Sequence, residues 1–379
     1  MLVRISVTAL FVILLAPGPG LAQELYDVVI LGGRVMDPET GRDEIANIGI
    51  LGERIEAITT QEIRGRTTID ASGQIVAPGF IDILASIGRN REAHTFKIGD
   101  GVTTVLGMHG GPLDVERYVE EHTAVGPLAN YAATVSHAGL REAVGATDRY
   151  APATPEQIEA MRPLAVRAIR DGAVGIGFGV NYTPGASYEE IFALFEVAAA
   201  EGVPCHLHAR YKGNVFPLTM SLAAMEVVAI AAATGAQAQL AHLISSTVGS
   251  APLSIALVEG ANARGVNVGF DFHVWTRNQT TLQSALFDEG WRERFGGAEY
   301  SDVYVAQTQE RLTEDRFFEL RSQPGHRSLH SHSTPISFSS LPGVKSFRET
   351  IRGGTSIVDN GGGDGGGSSE SSSTTSGSV

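Results

Sequence analysis

The sequence predicts an α/β chain of the (β/α)8 TIM-type barrel class, with its eighth unit apparently missing, preceded by a small N-terminal β-domain. Three observations predict it. Short apolar runs joined by glycine turns fill residues 26–70, which is a hairpin pattern. From Gln74 onward, apolar strand candidates alternate with amphipathic helices, as in a parallel sheet covered by helices. About seven such units can be counted, where a closed barrel needs eight.

The chain begins with a predicted secretory signal. Arg4 is followed by an apolar run over residues 7–15 and by the small-residue stretch Gly20-Leu21-Ala22. Residues 1–22 thus form the signal, with cleavage after Ala22 and an exported, periplasmic product. The rival reading is an uncleaved anchor, although the run is too short for an ordinary transmembrane helix. No integral membrane association is expected after cleavage. A formal net charge of −14 disfavours nucleic acid, because phosphate binding needs clustered Lys and Arg. The single Cys205 excludes an intrachain disulfide. Oligomeric state is left open.

The β-domain spans residues 23–73. Asp27-Val28-Val29-Ile30-Leu31, then Gly32-Gly33, then Arg34-Val35-Met36 read as one hairpin. Ile48-Gly49-Ile50-Leu51 turns at Gly52-Glu53 into Arg54-Ile55-Glu56-Ala57-Ile58 as another. The barrel domain spans residues 74–325, with strands expected at 75–83, 103–107, 132–136, 174–178, 204–208, 237–242 and 267–271. Thr154, Pro155 and Gln157 predict a capping box with a first-turn proline. Ser187 and Glu190 predict a second capping box. Gly235 and Gly265 stand where left-handed C-caps belong.

After Gly325 the composition shifts to His, Ser and Pro, and from Gly361 to Gly, Ser and Thr. Residues 326–379 therefore read as a low-complexity, disordered or frameshifted tail. The missing eighth strand and the composition shift begin together, and a change of reading frame near Gly325 would account for both.

Three histidines follow the rule that barrel enzymes carry their chemistry at strand C-terminal ends. His109 follows the strand at 103–107, His208 ends that at 204–208, and His242 ends that at 237–242. A catalytic zinc site takes about three protein ligands and one open position. Any one of these histidines alone reads as structural; three at separate strand ends read as a ligand set. His206 faces the same way as His208 and reads as an inner residue bonded to a neighbour. Asp271 and His273 share a face at the end of strand seven and are candidates for contacting substrate, although a capping role suits Asp271 equally. His137 follows strand three and either lines the mouth or does not. Arg210 is a candidate for holding a substrate carboxylate, with surface solvation as its rival. Cys205 points away from His206 and His208 and reads as a packed thiol.

Several segments carry a resemblance. Ile69-Asp70-Ala71-Ser72-Gly73 leads into Pro78-Gly79-Phe80-Ile81-Asp82, and Asp100-Gly101-Val102-Thr103-Thr104-Val105 and Gly172-Ala173-Val174-Gly175-Ile176-Gly177 follow. With Leu207-His208-Ala209-Arg210 and Ala241-His242-Leu243, the chain resembles the D-aminoacylase (N-acyl-D-amino-acid deacylase) branch of the metal-dependent amidohydrolase superfamily, over residues 26–325. In that branch a Cys after strand two and His after strands five and six hold the tight zinc. The resemblance therefore implies His109 in place of the thiolate, with His208 and His242. Imidazole suits zinc as well as thiolate does.

The His-x-His pair that would hold a second metal is replaced by Leu84-Ala85-Ser86, so one zinc ion is expected rather than two. Strand four ends Gly177-Phe178-Gly179, without the modified Lys of dihydroorotase-like binuclear sites. The implied reaction is hydrolysis of the C–N bond of small N-acyl compounds, N-acyl-D-amino acids first, by a zinc-activated water. The branch's catalytic Asp after strand eight is not found. Asp359 and Asp364 lie in the glycine-rich tail with no strand before them. The alternative is a decayed, non-catalytic member of the fold without a working metal site.

Overall fold

The computed structural model describes residues 25–85, 91–210, 219–243, 251–272, 278–295, 297–305, 308–323, 335–338 and 377–378. The signal segment, Ser86, His273, Asp359 and Asp364 lie outside the described residues, as does most of the tail. The chain divides into two compact units, one up to Gly79 and one from Phe80.

The first unit is a five-stranded sheet. Its strands are β1 (Leu25–Asp37), β2 (Arg42–Leu51), β3 (Arg54–Thr59), β4 (Arg64–Asp70) and β5 (Ile75–Val76). They run in the order β3-β2-β1-β4, with β5 also beside β1. The β2–β3 hairpin turns at Gly52, as the sequence predicts. The expected hairpin at Gly32-Gly33 is instead a bulge inside one long strand. The β1–β2 register shifts by one residue between Ile30 and Gly33. Gly32 takes φ +71°, and its N–H donates to Asn47 Oδ1 at 2.9 Å. A glycine in the left-handed region absorbs an extra residue without ending the ladder. Sequence alone does not separate that use of Gly-Gly from a turn.

The second unit alternates strand and helix. β6 (Phe80–Asp82), α1 (Arg91–Gly99), β7 (Val102–Gly107), α2 (Val115–Ala124) and β8 (Asn130–Ala133) come first. β9 (Val135–Ser136), α3 (His137–Ala143), α4 (Pro155–Arg170), β10 (Ile176–Gly179), α5 (Tyr188–Glu201) and β11 (Cys205–His208) follow. Then come α6 (Thr219–Thr234), β12 (Ala238–Leu240), α7 (Ala251–Asn262) and β13 (Val268–Phe272). β6, β7 and β8 pair in parallel, and so do β9 to β13 in sequence order. β8 and β9 are two halves of one strand position, parted at Thr134. The Thr134 N–H still bonds back to the Gly107 carbonyl, while the Val135 N–H turns to that of Gly175. The α/β alternation thus yields parallel strands in the predicted order. Among the described residues no eighth parallel strand follows β13, whose far edge meets Gly377–Ser378 antiparallel.

Helix starts follow the sequence where capping is local. Thr154 and Gln157 form the complete capping box of α4. Gly235 and Gly265 take φ +74° and +84°. At α5 only half of the expected box forms. Ser187 accepts from the Glu190 N–H at 3.2 Å, but the Glu190 side chain turns inward to His137 and Arg141. The main core packs Val135, Ile176, Phe178 and Leu207 from the strands against Met161, Leu194 and Phe195 from α4 and α5. Cys205 belongs to that core, and burial raises its thiol pKa well above the ordinary value.

A separate cluster, which no pattern in the sequence signals, follows β13. Trp291 stacks on Phe317 with ring centroids 5.3 Å apart, beside Phe287 and Leu312. The strands around it, such as Val303–Val305 and Glu310–Arg311, are too short to show a period in the sequence.

Candidate metal centre

His109 sits on the loop just after β7, and two neighbouring strands shape that loop. Thr134 Oγ1 donates to the carbonyls of Gly107 (3.2 Å) and Met108 (3.0 Å). Gly177 on β10 leaves room for the loop's main chain. A Cβ there would lie 2.5 Å from the Met108 carbonyl oxygen and 2.8 Å from the His109 carbonyl carbon. The glycine run at the end of strand four, which signals the absence of a ligating Lys, therefore also makes space for His109.

His208 closes β11 and is 3% exposed. Its Nε2 lies 3.5 Å from Asn181 Nδ2, and the Tyr182 ring centroid is 4.9 Å from its own. Burial raises the Tyr182 phenol pKa, opposed by a hydrogen bond with Thr280, so the ring faces His208 as a neutral group. Asn181 and Tyr182 had no signal in the sequence, because they lie on a single 3-10 turn after β10.

His242 follows β12 and takes φ +36°. A β-carbon in the left-handed region costs about 1–2 kcal/mol, so the surroundings must hold it there. The Ala241 N–H donates to the Leu207 carbonyl at 2.8 Å. The His242 N–H donates to Asp271 Oδ1 at 2.6 Å.

These elements bring the three predicted histidines together. His242 Nε2 is 3.0 Å from His208 Nδ1. The His109 ring centroid is 5.1 Å from that of His208 and 4.9 Å from that of His242. One nitrogen from each ring lies within 4.8 Å of the others. Zinc–imidazole bonds of about 2.0–2.1 Å put tetrahedral donors about 3.4 Å apart. Small ring rotations span that difference, so the donor set and its spacing fit one zinc ion.

The other predicted residues are placed as follows. His206 is fully buried and its Nε2 is 3.1 Å from Asp271 Oδ2, an inner residue bonded to a neighbour. Asp271 joins His206 to the His242 main chain, so both of its oxygens are engaged within the protein. Arg210 Nε donates to Glu226 at 3.0 Å, and another guanidinium N–H meets the Ala186 carbonyl at 2.8 Å. Its carboxylate partner within the chain is Glu226. Burial raises the Glu226 pKa, and Arg210 opposes that by favouring the charged form.

His137 is fully buried and meets Glu190 at 2.6 Å. On strand one, Leu84 bridges to Gly107 and the Ala85 N–H donates to the Leu106 carbonyl. Neither side chain carries a ligand atom. Asp82 beside them is paired with Lys97 at 2.6 Å.

No protein-family model matches the chain. An N-acyl-D-glutamate deacylase of Alcaligenes xylosoxydans xylosoxydans is 32% identical over 293 residues, 69% of this chain and 59% of that protein. A D-aminoacylase of the same organism is 34% identical over 220 residues, 50% of this chain and 45% of that one. The chain therefore spans less than two thirds of the length of these relatives. The solved structure of an N-acyl-D-glutamate deacylase from Bordetella bronchiseptica, complexed with zinc and a phosphonate that mimics the tetrahedral intermediate, superposes with TM-score 0.68 and 25% identity, covering 84% of this chain and 72% of that one. Sequence and fold together make the chain a homologue of the D-aminoacylases, within the amidohydrolase superfamily.

Proposed function

We propose that this protein is an exported, metal-dependent amidohydrolase that cleaves the amide bond of small N-acyl-D-amino acids using one zinc ion. The observation that carries the reading is the gathering of His109, His208 and His242 with ligand nitrogens within 4.8 Å. These three side chains would hold the ion. When bound, zinc supplies Lewis-acid polarisation of the scissile carbonyl and a water acidic enough to attack near neutral pH.

The chain's own residues supply the scaffold. Asn181 and Tyr182 orient the His208 ring, and Thr134 with Gly177 holds the His109 loop in place. The sequence Leu84-Ala85-Ser86 in place of a His-x-His pair supports one ion over two. Relatives that act on N-acyl-D-glutamate and other N-acyl-D-amino acids support the substrate class. The signal pattern at residues 1–22 supports export. No helix among the described residues is long and apolar enough to cross a membrane.

A second reading is a metal-binding but non-catalytic relative. Asp271 favours it, since the carboxylate that touches this cluster has both oxygens engaged and is poorly placed to carry a proton. One experiment separates the two. Purified protein is analysed for zinc and assayed for amine release from N-acetyl-D-glutamate and its L-enantiomer. The proposal expects about one zinc per chain, D-selective turnover, and loss of both in His208→Ala. Stoichiometric zinc without turnover would leave the second reading. No zinc in the parent protein would sink both.

A further inference from the structure

We propose that Asp271 is a positioning residue, a clamp that sets the spacing of His208 and His242 rather than a substrate contact. The inference deepens the metal-centre reading and rests on it for its functional meaning, although the clamp itself is a property of the metal-free chain.

Asp271 stands on β13, the seventh strand position, and is 4% exposed. Its Oδ2 meets His206 Nε2 at 3.1 Å, and His206 is two residues from His208 on the same face of β11. Its Oδ1 accepts the His242 N–H at 2.6 Å. One carboxylate on strand seven thus ties strand five to the residue that ends strand six. The tie acts where the backbone is least able to hold itself. His242 is one of two non-glycine residues with positive φ among the described residues, and such a conformation persists only when its surroundings over-determine it. A charge-assisted bond to the amide is that determinant. The ring that follows is thereby held with Nε2 3.0 Å from His208 Nδ1.

The His206 side of the clamp has its own signature. His206 Nδ1 is buried without a hydrogen-bond partner among the described residues. The contact with Asp271 is therefore the polar anchor of that imidazole, and it orients the ring that packs 5.1 Å from His109. A carboxylate placed behind metal-binding imidazoles orients ligands, and losing it weakens metal binding by about 10–100-fold.

The test uses the whole mature chain, Asp271→Ala and Asp271→Asn. Hydrogen exchange of the His242 amide is read in metal-free protein, zinc affinity by chelator competition, and the visible spectrum of the cobalt-substituted protein for ligand geometry. The clamp expects His242 amide exchange to speed up at least about tenfold in Asp271→Ala, with zinc affinity down about 10–100-fold and a changed cobalt spectrum. Asp271→Asn keeps an acceptor for the amide, so it should recover most of the amide protection and part of the affinity. An unchanged His242 amide in Asp271→Ala would overturn the clamp. If Asp271→Ala does not fold, Asp271→Asn decides through zinc affinity and the cobalt spectrum, since it removes the charge and keeps the shape, and parent-like values of both would overturn the clamp. So would an exposed amide with zinc affinity and cobalt spectrum intact. Should the parent bind no zinc, the metal reading fails, and the clamp is judged on the amide alone.

Discussion

Two buried histidines at strand ends meet opposite fates. His208 closes strand five and faces another imidazole, His242, at 3.0 Å. His137 follows strand three and faces a carboxylate, Glu190, at 2.6 Å, which Arg141 also grips with two contacts of 2.7 Å. Both side chains are buried, and both stand where barrel chemistry is expected. The first pair brings two ring nitrogens together with a third from His109, a donor set of the kind a cation takes. In the second group the Glu190 carboxylate is matched by the Arg141 guanidinium. A strand-end histidine is thus a ligand candidate only when its partners are other donors; its sequence position and burial do not decide the matter.

The comparison is most strongly tested at Glu190. Burial alone would raise its carboxyl pKa, but the hydrogen bonds and charges of His137 and Arg141 outweigh it and lower it to about 2 from 4.5. Glu190→Ala leaves a guanidinium buried without its carboxylate, so stability should fall by about 3–5 kcal/mol in urea unfolding. The zinc affinity of the folded fraction should not change. The sign of the pH effect follows from the depressed pKa. The stabilisation is present above the ordinary carboxylate value and is lost as pH falls through about 2. Acid unfolding of the parent should steepen in that window, and Glu190→Gln should lack the extra dependence. A parent-like acid profile in the Gln variant would show that this network does not behave as a neutralised unit.

A smaller effect is expected at Gly177. Its missing Cβ makes room for the main chain of Met108 and His109, so Gly177→Ala should overpack the site and cost about 1–3 kcal/mol. Unlike the Glu190 change, it should also weaken zinc, because one of the ligands moves. Equal zinc affinity in Gly177→Ala would detach the loop's packing from the metal centre.

The smallest effect has the opposite sign. His242 holds φ +36°, which glycine adopts without strain. His242→Gly should therefore leave the metal-free protein as stable or about 1 kcal/mol more stable, while zinc binding falls by more than tenfold. A clear loss of metal-free stability would mean that the His242 side chain packs structurally, as His137 does.

Much of this was legible in the sequence because the signals are local. The Thr154–Gln157 box, the left-handed Gly235 and Gly265 and the alternation of strand and helix each depend on a few adjacent residues. The three histidines were legible by a rule of position, strand ends, and the fold gathers them. What was not legible depends on distant partners. Glu190 reads as a capping residue until His137 and Arg141, about fifty positions earlier, claim its side chain. Gly32-Gly33 reads as a turn until β2 supplies Asn47 to fill the bulge. Arg210 reads as a substrate contact or a solvated surface charge, and its partner Glu226 on α6 has no signal in the sequence. The aromatic cluster around Trp291 and Phe317 has no period to detect.

The break in the third strand position at Thr134 has one more consequence. It separates β6–β8 from β9–β13, so the parallel strands form two hydrogen-bonded sheets rather than one. His109 belongs to the first, and His208 and His242 to the second. A cation held by all three would act as a staple across that seam, adding to the backbone bonds that cross it, Thr134 N–H to the Gly107 carbonyl and Val174 N–H to the Ala133 carbonyl. Its binding energy would then appear as mechanical reinforcement of the junction, about 2.7 kcal/mol at a hundredfold excess over the dissociation constant. Chelation would loosen the seam before it loosened either sheet.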